Sequence, residues 1–302
     1  MPPKRILITG SNGFLGSNLV NYFSLNKKYQ VFSTSQKRSI YPTAKLFFQG
    51  DLTDEKFVRS LNTKIKPDIV INTVSLVNVD LCEERPDIAY DVTVRTAENI
   101  AREARRSNAR LIYISTDHLF DGNKAWYTEE DSPDPVNMYG RTKLQAEEIS
   151  RQYIPDACVI RTNFFGWSPK GHVPTFGEWM YTNLRRQIPM TLFNDYYFTP
   201  IEVTYLAESL EIILQSNFSG TLNIAGSEKC SKFDFGVTLA KIAGLDAKCV
   251  TQSQILYDSF KVRRPKNLAL STEKYRKIFG KMLPNINQSL ERFMSTMPDK
   301  YK

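Results

Sequence analysis

The stretch Arg5-Ile-Leu-Ile-Thr9 runs directly into Gly10-Ser-Asn-Gly13-Phe-Leu-Gly16, so a short apolar run is followed by glycines three residues apart. The run predicts a buried strand, and glycines at this spacing are typical of the turn that carries a dinucleotide. The first glycine permits the tight turn, the second lets backbone approach a pyrophosphate, and the third lets the next helix pack closely. A purely structural turn is the alternative interpretation.

The segment after the glycines has the spacing of a helix, because Leu15, Leu19, Val20 and Phe23 fall on one face. A diphosphate would lie at the N-terminus of this helix, where unpaired N–H groups favour an anion. We therefore predict that the whole turn binds cofactor, through Gly10, Ser11, Asn12, Gly13, Phe14, Leu15 and Gly16.

The charges near the second predicted strand, Tyr29-Gln-Val-Phe-Ser-Thr34, indicate which dinucleotide is bound. A site for NAD usually places a carboxylate about 20 residues past the glycines, to hold the ribose 2′-hydroxyl, but residues 1–50 contain no Asp or Glu. Ser35, Lys37 and Arg38 stand at that place instead and suit a 2′-phosphate. The sequence therefore predicts NADP(H) as the preferred cofactor, with NAD(H) as a weaker alternative. A solvated turn with ordinary surface charges is the competing interpretation.

Composition excludes several classes of protein. The 302 residues are 41% hydrophobic and 24% charged, as in ordinary globular proteins. Four cysteines and two histidines show no metal-like or disulfide-like spacing, so no metal site is predicted. With no apolar signal core and no membrane-length apolar run, we expect a cytoplasmic protein that does not bind membranes. The net charge is +8, but the basic pairs are scattered, so small anions rather than nucleic acid are the expected ligands.

Strand-like and helix-like segments alternate through the first half of the chain. Asp68-Ile-Val-Ile-Asn72, Arg110-Leu-Ile-Tyr-Ile-Ser115 and Cys158-Val-Ile-Arg161 have the pattern of buried parallel strands, and a long helix is predicted over about residues 87–106. The alternation predicts an α/β fold with a Rossmann-type, doubly wound parallel sheet. We place a cofactor-binding domain at 1–162 and a smaller, mainly substrate-binding region at 163–302, with about 197–226 returning to the sheet.

Candidate catalytic residues lie where two of these segments end or begin. Ser115-Thr116-Asp117-His118 closes one strand, and Tyr139 and Lys143 share one face at the start of the next helix. A cation about 4 Å away contributes roughly 4 kcal/mol at an effective dielectric near 20, so we expect Lys143 to lower the pKa of Tyr139. Tyr139 could then exchange a proton with a carbonyl oxygen as hydride moves at its carbon, while Thr116 hydrogen-bonds that oxygen.

Several local motifs make the chain similar to a known family. Ser115-Thr-Asp-His-Leu-Phe-Asp121-Gly resembles S-T-D-Y-V-F-D-G, Val79-Asp80 through Glu83 matches V-D-x-x-E, and Tyr139-Gly-Arg-Thr-Lys143-Leu matches Y-G-x-T-K-L. Three later stretches also resemble motifs of the same family: Arg161-Thr162, Phe198-Thr-Pro200 and Arg264-Pro265. The combination resembles the extended short-chain dehydrogenases/reductases, and within them the dTDP-4-dehydrorhamnose reductase group.

The resemblance implies roles for matching positions. Thr116, Tyr139 and Lys143 would be the catalytic trio, with Tyr139 and Lys143 also contacting cofactor. Asp51 and Leu52 would lie near the adenine, and Thr73, Val74 and Ser75 would line the nicotinamide ribose. Phe164 would contact the substrate, and Arg264 would bind a sugar nucleotide's diphosphate unless it forms a surface ion pair. His118 departs from the usual tyrosine, and Asp91 stands where an asparagine is common.

Three functional classes follow from the resemblance. The first is an NADPH-dependent reductase of a nucleotide-linked 4-keto-6-deoxyhexose with Tyr139 as proton donor. The second is a sugar-nucleotide epimerase or dehydratase, although His118 occupies the position of the glutamate that drives elimination in dehydratases. The third is a non-catalytic NADP-binding regulatory subunit like the beta subunit of methionine adenosyltransferase. A homodimer is retained as a hypothesis for the assembly.

Overall fold

A seven-stranded sheet organises the first part of the chain. The structure is a computed structural model that describes residues 2–38, 46–168, 174–256 and 261–301. The strand order is β11-β6-β5-β4-β1-β2-β3, and the pairings from β6 to β3 are parallel. The seven strands are β1 (Lys4–Thr9), β2 (Tyr29–Ser35), β3 (Phe47–Gln49), β4 (Ile69–Asn72), β5 (Arg110–Ile114), β6 (Cys158–Arg161) and β11 (Gly220–Asn223). The predicted Rossmann-type α/β fold is confirmed.

Helices connect these strands and form much of the rest of the chain. They are α1 (Phe14–Ser24), α2 (Glu55–Ile65), α3 (Val79–Glu84), α4 (Pro86–Tyr90), α5 (Thr96–Arg106), α6 (Met138–Tyr153), α7 (Phe176–Arg186), α8 (Val203–Leu214), α9 (Lys232–Ala243), α10 (Glu273–Phe279) and α11 (Ile286–Ser295). The described elements also include a 3₁₀ helix (Asp299–Tyr301) and six short strands: β7 (Phe164–Phe165), β8 (Met190–Phe193), β9 (Tyr197–Phe198), β10 (Ile201–Glu202), β12 (Cys230–Ser231) and β13 (Val250–Ser253). None of the helices in the described ranges is long and apolar enough to cross a bilayer.

The strand order reverses at β1. From β1 the chain first adds β2 and β3 on one side, then crosses to add β4, β5 and β6 on the other. The connections that follow β1 and β4 therefore leave in opposite directions and open a crevice at the carboxyl ends of these two strands. The glycine turn follows β1, and residues 73–75 follow β4.

The chain divides into two compact units. The first comprises Met1–Leu119, Asn137–Ile160 and Ser216–Thr221, and the second Phe120–Val136, Arg161–Gln215 and Leu222–Lys302, as far as these ranges are described. Residues 120–136 thus group with the later part of the chain, although they precede α6. The predicted assignment of cofactor binding to 1–162 and of substrate binding to 163–302 stays a prediction.

The predicted helix over residues 87–106 is interrupted. It begins at Pro86, passes through a π-helical turn at Asp91–Arg95, and continues regularly from Thr96 to Arg106. A π turn carries one extra residue, so it changes the directions in which the side chains before and after it point. This irregularity is invisible to hydrophobic periodicity, and it lies beside the candidate site.

Each unit has its own core. In the first unit, apolar side chains of β1, β4 and β5 pack against α2 and α5, including Leu7, Leu61, Val70 and Ile100. In the second, Trp167 stacks on Phe293 with ring centroids 4.0 Å apart, and its indole N–H donates to the Phe293 carbonyl at 2.6 Å. Stacking and a satisfied N–H together make this tryptophan a buried anchor for α11.

The glycine turn and α1 are in close contact at Gly16. Leu15, Leu19, Val20 and Phe23 are buried, as the helical spacing predicts. A Cβ placed on Gly16 would lie 2.3 Å from the Gly10 carbonyl oxygen and 3.0 Å from the Ser11 Cα, so only glycine fits here without moving the turn.

We expect Gly16→Ala to lower the free energy of unfolding by about 1–3 kcal/mol, the usual cost of overpacking against atoms that cannot move aside. Denaturant unfolding followed by circular dichroism measures this loss. Ser24→Ala, at an exposed position of the same helix, is the control and should be neutral within about 0.5 kcal/mol. Equal stability of the two variants would contradict the close contact.

Candidate active site

The turn after β1 and the loop after β4 are joined by hydrogen bonds. The Thr73 hydroxyl donates to the Thr9 carbonyl at 2.7 Å, and the Asn72 amide oxygen accepts from the Thr9 hydroxyl at 2.8 Å and from the Val74 N–H at 3.1 Å. Gly10 has φ +67°, and a Cβ there would lie 2.8 Å from the Thr73 hydroxyl oxygen. The structure thus brings the glycine turn and residues 73–74 together at the crevice.

The start of α1 fits an anionic ligand. Its N-cap residue Gly13 makes no side-chain capping hydrogen bond, and the first turn carries no acidic residue. The four N–H groups at a helix start have no partner inside the helix, and the helix dipole places positive charge there. A diphosphate would be well accommodated at this position.

The cationic segment after β2 is attached to the glycine turn. The Asn12 side-chain amide donates to the carbonyls of Lys37 at 3.1 Å and Arg38 at 2.9 Å. Lys37 and Arg38 are exposed, and Ser35 is the last residue of β2. Asn12 therefore fixes the backbone of this segment beside the turn while leaving both cationic side chains in solvent.

Asp51 lies next to the cationic segment after β2. Its carboxylate accepts from the Gln36 side-chain amide at 3.1 Å and from the backbone N–H and hydroxyl of Thr53 at 2.9 and 2.8 Å. Burial acts to raise the pKa of Asp51, but the hydrogen bonds from Thr53 and Gln36 outweigh it and lower the pKa. An ionised carboxylate therefore does lie next to the segment after β2, although none occurs before residue 51 in the sequence.

Asn99 holds the other residue expected near the adenine. Its side-chain amide donates to the carbonyls of Leu52 and Thr53, both at 3.0 Å, and the Leu52 side chain is buried. The sequence analysis did not identify Asn99. A polar residue on the apolar face of α5, among Ala97, Ile100 and Ala101, is the signal that could have found it.

The π turn places Thr93 against the loop after β4. The Thr93 hydroxyl accepts from the Leu76 N–H at 3.2 Å and lies 3.4 Å from the Ser75 hydroxyl. Asp91, which stands where an asparagine is common, instead pairs with Arg95 at 3.0 Å and is half-exposed. The side chain from this turn that contacts residues 75–76 is therefore Thr93.

The structure brings Thr116 and Tyr139 together. The Asn137 side chain caps α6 by accepting from the Gly140 N–H at 3.0 Å, so Tyr139 occupies the first turn of the helix. The Thr116 side chain hydrogen-bonds the Tyr139 hydroxyl. The His118 ring meets the Tyr139 ring edge-on, with 5.4 Å between centroids.

The acidity of Tyr139 differs from the expectation. Burial raises the pKa of Tyr139 to about 12, against the opposing hydrogen bond from Thr116, and the nearby Asp117 and Cys82 raise it further. The predicted lowering by Lys143 is wrong for the protein alone. The Tyr139 phenol is therefore protonated at neutral pH.

Lys143 is buried one helical turn from Tyr139. Its ammonium donates to the Ile114 carbonyl at 2.6 Å and lies 4.4 Å from the centroid of the Tyr113 ring. Burial lowers the pKa of Lys143 to about 7, while Glu147 acts in the opposite direction. The pKa of Tyr139 is therefore set by burial of the phenol and not by the spacing of Tyr139 and Lys143 along the helix.

Phe164 and Arg264 lie in the second unit. Phe164 is half-buried in β7, where it pairs with Ile201 of β10. Arg264 is half-buried and precedes Pro265, which packs so closely on Gly122 that a Cβ there would lie 2.7 Å from the proline side chain. Within the described ranges, no group of three or more His, Cys, Asp or Glu residues is arranged to hold a metal ion.

Comparison with known proteins decides the family. The model of the RmlD substrate binding domain family matches residues 4–298. The chain belongs to this family. The predicted resemblance to the dTDP-4-dehydrorhamnose reductase group is thereby confirmed.

Two curated relatives show how varied the similar proteins are. A probable low-salt glycan biosynthesis reductase of Haloferax volcanii is 27% identical over 296 residues, which cover 97% of this chain and 98% of the relative. Methionine adenosyltransferase 2 subunit beta of Rattus norvegicus is 28% identical over 312 residues, which cover 97% of this chain and 89% of the relative.

Solved structures agree with the fold over nearly the whole chain. The dTDP-4-dehydrorhamnose reductase of Bacillus anthracis in complex with NADP superposes with a TM-score of 0.88 at 24% identity, covering 98% of this chain and 100% of that one. A dTDP-4-dehydrorhamnose reductase ortholog of Clostridium acetobutylicum has a TM-score of 0.85 at 28% identity, covering 96% and 98%.

We expect Thr93→Val, which keeps the shape but removes the hydroxyl, to lower the free energy of unfolding by about 1–3 kcal/mol, because the Leu76 N–H loses its acceptor. NADP⁺ affinity, measured by calorimetry, should fall with it, since Ser75 is predicted to line the nicotinamide ribose and Leu76 follows it directly. The control is Thr96→Val, because the hydrogen bond of this buried hydroxyl goes to the Asp91 carbonyl of the π turn and not to the loop after β4. If Thr96→Val weakened NADP⁺ binding as much as Thr93→Val, the role of Thr93 would be refuted.

Proposed function

We propose that the protein is an NADPH-dependent reductase of a nucleotide-linked 4-keto-6-deoxyhexose. The observation that carries the proposal is the grouping of Thr116, Tyr139 and Lys143 at the carboxyl ends of the strands, in the unit that also holds the glycine turn. Open α/β sheets bind their ligands at this edge. The reductases among the relatives and solved structures support the same class of reaction.

The residues present fit a dinucleotide cofactor. The close contacts at Gly10 and Gly16 leave room only for backbone, and α1 begins without a side-chain cap. Gly10 through Gly16 would hold the diphosphate, Asp51 and Leu52 the adenine side, and Thr73 to Ser75 the nicotinamide ribose. NADPH, when bound, supplies a hydride to the carbonyl carbon of the sugar.

Reduction of the ketone requires one proton from the protein. The Tyr139 hydroxyl gives its proton to the carbonyl oxygen as the carbon is reduced, so the ketone becomes an alcohol and Tyr139 a phenolate. Burial raises the pKa of Tyr139 to about 12 and keeps the proton on the phenol at neutral pH, so the phenolate formed by the transfer has to be stabilised. Thr116 hydrogen-bonds the same oxygen, and the Lys143 ammonium stabilises the phenolate until solvent returns the proton.

Substrate recognition is assigned to the second unit. We infer that Phe164 packs on the sugar and that Arg264 pairs two oxygens of the nucleotide diphosphate with its planar guanidinium. The Asp121 carboxylate accepts the Tyr127 hydroxyl at 2.6 Å, which orders the loop whose Gly122 contacts Pro265. The residue next to Arg264 is therefore held in place by packing.

A second candidate function is supported by a specific observation. The 28% identity to a methionine adenosyltransferase beta subunit extends over 97% of this chain, so a regulatory subunit that binds NADP without turnover is the alternative. Oxidation of NADPH in the presence of a panel of nucleotide-linked keto sugars separates the two. Consumption of NADPH with any member supports the reductase, and tight NADP⁺ binding with no turnover on the whole panel supports the regulatory subunit.

Tyr139→Phe removes the proposed proton donor and leaves the glycine turn intact. Turnover should fall by about 10²–10⁴-fold, as is typical when a general acid is lost, while the dissociation constant for NADPH changes little. Tyr153→Phe, at the far end of the same helix, is the control and should keep wild-type turnover. Near wild-type turnover in Tyr139→Phe would refute the mechanism.

Lys37→Ala/Arg38→Ala tests cofactor preference. Charge-assisted hydrogen bonds contribute about 1.5–3 kcal/mol each when ordered, and exposure reduces this, so we expect wild type to prefer NADPH over NADH by tenfold or more. The double variant should lose most of that preference. Lys27→Ala/Lys28→Ala removes the same charge at exposed positions before β2 and should leave the ratio of dissociation constants unchanged. A preserved preference in Lys37→Ala/Arg38→Ala would identify these side chains as solvated surface charges.

A further inference from the structure

One face of α6 carries four ionisable side chains at intervals of about one helical turn. Tyr139, Lys143, Glu147 and Arg151 follow each other at every fourth residue, so their side chains neighbour one another along the helix. The first two belong to the proposed catalytic trio. Glu147 and Arg151 extend the series away from the candidate site, and neither has a role in the mechanism derived above.

Glu147 is an acidic side chain buried in the interior. Its side chain is 0% exposed, and its carboxylate pairs with the Arg151 guanidinium at 3.0 Å. Arg151 is 32% exposed, and its second terminal nitrogen donates to the Thr221 hydroxyl at 2.8 Å. A buried carboxylate costs several kcal/mol in desolvation unless charges and hydrogen bonds compensate it. Arg151 fixes this carboxylate from the solvent side.

Lys143 lies on the other side of Glu147. Its side chain is 3% exposed, and its ammonium donates to the neutral Ile114 carbonyl at 2.6 Å. Burial disfavours the charged form of Lys143, and Glu147 opposes that effect. The Tyr113 phenol belongs to the same buried group. Burial raises its pKa, and the nearby Glu147 and Tyr139 raise it further.

Other ionisable groups lie on the elements that pack against α6. They are Asp80, Cys82, Glu83 and Glu84 on α3, Asp87 and Tyr90 on α4, Asp91 and Arg95 on the π turn, and Glu98, Arg102, Glu103, Arg105 and Arg106 on α5, together with Asp117 and His118 after β5. Asp87 pairs with Arg85 and Glu103 with Arg106. Asp91 pairs with Arg95 and Glu98 with Arg102, while Glu83 accepts the Met138 N–H at 2.8 Å. Cys82 and Asp117 raise the pKa of Tyr139. Glu147 is the charged group that acts to raise the pKa of Lys143.

We propose that Glu147, held by Arg151, is a positioning residue that favours the charged form of the Lys143 ammonium inside the protein. This inference rests on the proposed function for its consequence: a charged Lys143 is the form that binds a ribose hydroxyl and stabilises the Tyr139 phenolate. The ion pair between Glu147 and Arg151 thus sets the pH range in which Lys143 performs these roles.

The protonation of Lys143 can be measured directly in the full chain without cofactor. Lysine labelled with ¹³C at Cε is incorporated, the Lys143 signal is assigned by its loss in Lys143→Arg, and its shift is followed against pH. Glu147→Gln keeps the shape and an acceptor for Arg151 but removes the charge. The midpoint of Lys143 should fall by about one pH unit or more, the usual effect of losing a close opposite charge.

Glu148→Gln is the matched control, because it removes the same charge from an exposed position one residue away. Its Lys143 midpoint should equal that of wild type. Glu147→Asp retains the charge but retracts it by one methylene, so it should give a smaller fall, and it serves as the test if Glu147→Gln does not fold. A midpoint in the Glu147 variants equal to that of Glu148→Gln overturns the proposal.

The dependence of NADP⁺ affinity on pH tests the link to the site. Affinity should weaken at high pH as Lys143 loses its proton, and Glu147→Gln should move this weakening to lower pH by the same interval as the NMR midpoint. A lower NMR midpoint with an unchanged affinity profile overturns the positioning role. Failure of the reductase function appears separately, as absence of turnover in wild type with every keto sugar.

Discussion

The hydrogen bonds between the end of β1 and the end of β4 are the constraint on which the candidate site depends. The Thr73 hydroxyl reaches the Thr9 carbonyl, and Asn72 holds both the Thr9 hydroxyl and the Val74 N–H. These contacts bring the glycine turn within van der Waals distance of the loop after β4, so Gly10 cannot carry a larger side chain, while Gly16 is restricted in the same way by the backbone of Gly10 and Ser11. The shape of the cofactor cradle follows from this approach of two backbones.

Side chains from elements farther along the chain hold this cradle in place. Asn99 of α5 supports residues 52–53, and Thr93 of the π turn supports residues 75–76. Asn12 does the same for residues 37–38 from within the glycine turn. Each is a polar side chain that satisfies backbone groups of a loop, which is the way irregular segments are kept in one conformation. The loops that are expected to contact the cofactor are therefore held in one conformation by the hydrogen bonds of these three side chains.

The electrostatics of the catalytic trio depend on burial more than on spacing. Tyr139 and Lys143 are one turn apart, yet removal from water raises the pKa of the phenol to about 12 and lowers the pKa of the amine to about 7. Both shifts favour the neutral forms. A phenol that stays protonated at neutral pH still holds a proton to donate, and Glu147 opposes the loss of charge on Lys143.

The sequence by itself determined the features that rest on local pattern. Apolar runs and glycine spacing identified β1, the turn and α1, and the alternation of elements identified the parallel sheet, because side-chain periodicity and backbone sterics act over a few residues. Local motifs likewise identified the family. Only the tertiary structure decided which distant groups meet. It placed Asp51 beside Gln36 and Thr93 rather than Asp91 against Ser75, and it buried both Lys143 and Glu147. Burial and long-range contacts set the energies of these groups, and neither is encoded in the spacing of residues along the chain.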